Sequence, residues 1–248
     1  EPITVHVMLK DGRALELNAS VEEPRPKLSM LSKSVQLDDS GAEPAIRLGN
    51  PDELPQDARL NFFLKTQAPQ IFPPAEKVEV STNDESFHVL LSVKDGNLTM
   101  QDAKTIFAVL DPMKLLGPSA FGPLKFRPVS GDGVEGDWMP LVNLVRVPTL
   151  KGVRCAPVTA KTSASEKVSA SQKVAVTEKD CTLIGDKLFL INAVSADSDF
   201  SSAVTVPDGF VNEEIPIPTP KGKALYIKLR DDPATVNTVI VPMLGDQF

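Results

Sequence analysis

Residues 4–19 read TVHVMLKDGRALELNA. Apolar and polar residues alternate on both sides of Asp11-Gly12, and that pattern decides the fold class. A period of two places every second side chain on one face of a strand. Asp-Gly between two such runs marks a tight hairpin, for which a type I′ turn is expected. The same grammar recurs down the chain. Runs such as 58–65 (ARLNFFLK), 77–82 (KVEVST), 86–93 (SFHVLLSV), 123–129 (PLKFRPV) and 141–147 (LVNLVRV) are strand-like. Turn signals separate them: Asp95-Gly96, the GDGVEGD turn of 131–137, and many of the 22 prolines. Proline lacks a backbone donor and breaks helices, so between Val/Ile/Leu-rich runs it punctuates strands. The segment 102–111 (DAKTIFAVLD) fits helix or strand, and Asp111-Pro112 stops either.

This rhythm predicts an all-β protein with two immunoglobulin-like antiparallel β-sandwich domains in tandem. The expected division is a hairpin over 1–24, a sandwich over 25–150 and a smaller one over 151–248. The hairpin either joins a sheet or is the remnant of a preceding domain. The chain opens on Glu1-Pro2-Ile3-Thr4-Val5, which reads as the middle of a fold; a mature form or a piece of a longer protein is expected.

The 248 residues suffice for two cores. A net charge of −7 disfavours nucleic acid and anionic lipid as partners. No apolar run approaches the roughly 18 residues of a membrane span.

The run CTLIGDKLFLINAV (181–194), the later PDG (207–209) and the closing strand resemble the immunoglobulin-like IPT/TIG modules of bacterial surface and secreted proteins. The resemblance covers about 150–244. It implies an adhesive or architectural module rather than a catalyst, and it brings no functional residues with it.

Cys155 and Cys181, the only cysteines, bracket a Ser/Ala/Lys-rich tract over 156–180 that also carries Glu166, Glu178 and Asp180. A disulfide clipping the base of that excursion is the leading reading and implies an oxidising compartment. Two reduced cysteines in a cytosolic protein are the competing one. Zinc needs three or four Cys/His ligands, and His6 and His88 lie far from both cysteines. The tract itself reads as a solvated loop.

Catalysis finds little to stand on. There is no G-x-S-x-G, and His6 and His88 sit in alternating runs as ordinary strand residues. Asp231-Asp232 and Asp38-Asp39 read as turn chemistry. No catalytic residue and no cofactor is assigned. Calcium is the sharpest metal reading: Asp132, Glu135 and Asp137 crowd a glycine-rich turn, and Asp197 and Asp199 another. Trp138 is expected as a core anchor. In LLGPSAFGPLKF (115–126), Phe121 is expected to plug the core from a rigid crossover, or else to stand exposed and dock a partner.

The expected function is a non-catalytic extracytoplasmic module with a protein or cell-surface partner, without membrane insertion and without a small-molecule substrate. A carbohydrate-active or calcium-dependent protein with a loop-borne acidic site is the alternative. The two differ in whether Asp132, Glu135, Asp137, Asp197, Asp199, Asp231 and Asp232 converge.

Overall fold

The computed structural model describes residues 2–20, 25–37, 45–67, 71–157, 179–220, 224–240 and 242–244. Across these residues the protein is essentially all β, with its strands in mainly antiparallel sheets.

Strands β1 (Pro2–Met8) and β2 (Ala14–Ser20) form a separate two-stranded sheet. The turn differs in type from the sequence expectation. Gly12 has φ +83°, whereas Asp11 is not among the positive-φ residues. Type I′ needs both, so the loop is instead a type I turn closed by a left-handed glycine. The pairs Ile3↔Ala19, Val5↔Leu17 and Val7↔Leu15 line one face of this hairpin. The five large aliphatic side chains on that face are all exposed.

β3 (Leu28–Gln36), β4 (Ile46–Arg47), β5 (Glu53–Pro55), β6 (Arg59–Thr66), β7 (Lys77–Thr82), β8 (His88–Leu91), β9 (Leu98–Met100) and β10 (Thr105–Leu110) follow. The ambiguous 102–111 segment is thus a strand at its core. A single turn of helix, α1 (Pro112–Leu115), comes next, capped by Asp111 accepting from the Lys114 N–H. Then come β11 (Gly122–Val129) and β12 (Met139–Val145).

The sheet β3-β6-β10-β9 and the sheet β5-β12-β11-β7-β8 share one core. Leu60, Phe62 and Leu64 alternate inward on β6, as do Ile106, Ala108 and Leu110 on β10. Val78, Val80, Leu124 and Phe126 answer from the other sheet, with the Phe62 and Phe126 rings 6.2 Å apart. This is packing of the β-sandwich type.

The remaining described residues include β13 (Thr149–Pro157), β14 (Lys179–Asp186), β15 (Ile191–Ser195), β16 (Val204–Thr205), β17 (Glu214–Ile217), β18 (Ala224–Leu229) and β19 (Asn237–Ile240). The sheets β13-β14-β17 and β16-β15-β18-β19-β4 surround a second core built on Leu183, Ile191, Ile215, Ile227 and Val239.

Two features cross between the cores. β12 gives Leu144 to the first core and Val145 to the second. β4, from the segment the sequence assigns to the first sandwich, pairs instead with β19. Gly49 permits that crossing: a Cβ there would lie 2.2 Å from the Val236 carbonyl oxygen. The obstacle is backbone, so the strands themselves must move. Gly49→Ala is expected to destabilise by about 1–3 kcal/mol, the usual cost of overpacking. A urea titration checks this, and an unchanged midpoint would contradict the close approach.

Candidate functional site

Several buried and partly buried polar side chains gather where the two cores meet. β5 pairs in parallel with β12, placing Glu53 opposite Asn143 and Pro55 opposite Val145. Gln56 follows, buried, its backbone N–H donating to the Val145 carbonyl at 2.9 Å. Its side-chain Nε2 donates to the Gly117 carbonyl at 2.9 Å and to that of Ala120 at 3.3 Å. One amide therefore pins the whole Gly117–Ala120 turn. Ala120 fills the core at 0% exposure, and Gly122 turns the chain back at φ +92°. Phe121 is left pointing outward, 47% exposed. The expected core plug is corrected: the inward place at this crossover belongs to Ala120.

The Arg146 guanidinium lies over the Phe121 ring, 4.1 Å from its centroid. Arg146 is itself locked. Its Nη2 donates to Asp231 Oδ1 at 2.7 Å, and its Nε and backbone N–H donate to Oδ2 at 2.9 and 2.8 Å. Asp231 does lie in the bend after β18, but its side chain does no turn chemistry; it is 2% exposed and anchors the joint. The Asp231 hydrogen bonds hold the Arg146 guanidinium above its ordinary range, outweighing partial burial.

Asp232, next in the chain, does turn chemistry. It accepts from the Thr235 hydroxyl at 2.9 Å and from the Ala234 N–H at 3.2 Å. Burial works against its charge, but these bonds and Glu53 hold its carboxyl below the usual range.

Glu53 is the odd group. It is 3% exposed, and neither carboxyl oxygen has a hydrogen-bond partner. Burial, then the neighbouring Asp232, push its carboxyl up to about 7; the Asn50 backbone pulls slightly the other way. Asn237 completes the joint: its Oδ1 accepts from the Gly49 N–H at 2.9 Å, and its buried Nδ2 has no partner.

The other sequence-selected residues lie elsewhere. Cys155 and Cys181 are directly opposite on β13 and β14 and form a disulfide with Cα atoms 4.0 Å apart. Most of the tract between them, 158–178, and the Asp38-Asp39 loop lie outside the described residues.

Asp132 accepts from the Ser130 hydroxyl, which lowers its carboxyl. Glu135 pairs with Arg127, and Asp137 with Arg25 at 3.8 Å. Asp199 accepts from the Ser201 N–H at 3.1 Å, on the turn that also holds Asp197. The seven acids are thus spread over separate turns and partners. Among the described residues, no three His, Cys, Asp or Glu side chains gather where they could hold a metal ion. His6 faces Glu16 on the exposed hairpin at 3.4 Å, and His88 is exposed on β8.

Trp138 is not the expected core anchor. It is half-buried, with Lys125 and Arg127 at 4.4 and 4.3 Å from its ring centroid. Arg127 also meets Glu79 at 2.7 Å. Trp138 therefore belongs to a charged outer surface of the sheet.

Sequence reasoning missed Glu53, Gln56 and the Arg146–Asp231 pair, because all three act across long separations. No helix among the described residues is long and apolar enough to cross a membrane. Comparison with protein-family models and with curated proteins finds no match. Fold and joint together define an essentially all-β protein of the β-sandwich class, with an internal disulfide.

Proposed function

We propose that this chain is a non-catalytic extracytoplasmic β-sandwich module, structural or partner-binding, and part of a larger secreted or surface protein of bacterial origin. In this reading the two cores are immunoglobulin-like units, the first over most of 25–150 and the second, of IPT/TIG type, over 151–248 together with β4, and 1–24 is a separate hairpin. The observation that carries it is the Cys155–Cys181 disulfide across directly paired strands, since such bonds persist in oxidising compartments.

Two surfaces support a binding role. Phe121 stands exposed on a turn fixed by Gln56 and is flanked by a guanidinium already held in place. A rigid aromatic beside an arginine is the chemistry of interface anchors. The hairpin adds an exposed aliphatic face, of the kind that marks interaction surfaces.

Alkylation without reductant, followed by intact mass, tests the compartment. Protein recovered from an oxidising compartment is expected to take up no label. Two labels on that protein would remove the basis for the extracytoplasmic assignment.

A further inference from the structure

The joint between the cores holds a buried acid whose two oxygens lack hydrogen-bond partners, with only a small favourable contribution from the Asn50 backbone. Glu53 is 3% exposed, both its oxygens lack partners, and the carboxyl it faces is Asp232. An ionised Asp232 can only accept hydrogen bonds. The contact becomes a hydrogen bond only when Glu53 carries a proton to donate. Without that proton two negative charges face each other in a desolvated place.

We propose that Glu53 is a proton-operated latch between the two cores: protonated it ties β5 to Asp232, and ionised it pushes the joint apart.

The surroundings offer little compensation. Arg146, on the β12–β13 link, is taken up by Asp231. Lys33, from β3, is bound by Asp52 at 2.8 Å and by the Leu141 carbonyl at 2.8 Å. Arg47 lies on β4 opposite Thr238, with its side chain exposed. The facing residue on β12, Asn143, and the nearby Asn237 of β19 are uncharged. Asp232 cannot take over the proton cheaply, because Thr235 and Ala234 already stabilise its charged form.

The sign follows from linkage. Glu53 ionises near pH 7 in the closed joint and at its ordinary 4.5 once opened. Stability is therefore highest below about pH 4.5 for this group and is lost as pH rises towards 7. Beyond that both states are ionised and the loss is complete.

Hydrogen exchange on the full chain tests the latch through three joint amides: Gly49, Gln56 and Arg146. Corrected for intrinsic rates, their protection is expected to fall roughly 25-fold between pH 5.5 and 8, as ionisation returns to its ordinary value on opening. Glu53→Gln removes that fall. Glu76→Gln is the control. Glu76 is also buried and pushed up to about 7 by burial, yet it precedes β7, away from the joint. Its replacement flattens the pH dependence of global stability and leaves the joint's fall intact. Asp232→Asn, which keeps Glu53, should move the midpoint of the fall to lower pH. Equal protection at both pH values in the wild type overturns the latch. So does a fall that persists in Glu53→Gln, or a midpoint unmoved by Asp232→Asn. The readout needs no partner, so it succeeds or fails separately from the proposed binding role.

Discussion

Arg146→Ala is expected to lower the unfolding free energy by about 3–5 kcal/mol, the range for breaking a buried ion pair from one side. The reason is what it leaves behind. Asp231 keeps a side chain that is 2% exposed and loses both guanidinium bonds, at 2.7 and 2.9 Å. Only the backbone N–H of residue 146 remains to it. The reverse change is milder, because the Arg146 side chain is 25% exposed and can turn towards water. Asp231→Ala should therefore cost less than Arg146→Ala. A well-packed apolar pair at both positions should cost less than Arg146→Ala as well. Lysine is no substitute at 146, since it cannot present two parallel donors to one carboxylate. Urea titrations of the variants measure all of this. A deficit below about 1 kcal/mol, the worth of an exposed pair, would mean that Asp231 is not buried as described.

How far the joint was legible in the sequence depends on separation. Alternation over 58–65 and 123–129 placed Leu60, Phe62, Leu64, Leu124 and Phe126 on one face, and they are core. The periodicity of a strand is local, so it survives without tertiary information. Trp138 shows the limit of that rule. Met139 lies opposite Phe126, after a register shift between Leu124 and Lys125. Trp138, one residue earlier, falls on the opposite face with Arg127. An aromatic count expects a core anchor; only the register reveals the parity. The direction of Phe121 escapes the pattern for a related reason: two glycines at φ +86° and +92° bracket the turn and decide which neighbour faces inward. Arg146 and Asp231 are 85 residues apart, and β4 is two residues long. Neither leaves a local periodic signal. The Asp-Asp-Pro of 231–233 signalled a turn correctly for Asp232 and concealed that Asp231 points the other way.

Removing the disulfide should have an effect of similar size by a different route. Cys155 and Cys181 are 26 residues apart in sequence. Closing a loop of that length removes unfolded-state entropy worth about 3.5 kcal/mol in the chain-entropy model. The bond joins residues that β13 and β14 already place opposite each other, so the folded strands do not depend on it for their register. Its main effect is therefore expected in the unfolded chain. That distinction is measurable. Reduction, or Cys155→Ala with Cys181→Ala, should lower the unfolding free energy by about 3–4 kcal/mol. It should also raise the denaturant m-value, because an uncrosslinked unfolded chain exposes more surface. Cys181 is 3% exposed, so alanine is preferred to serine, whose buried hydroxyl would add a cost of its own. Reduced wild type and the double alanine variant should agree. If stability falls while m stays constant, the bond acts through the folded sheet, holding β13 against β14. If neither changes, the strand pairing alone fixes this edge of the second core, and the disulfide marks the compartment without stabilising the fold.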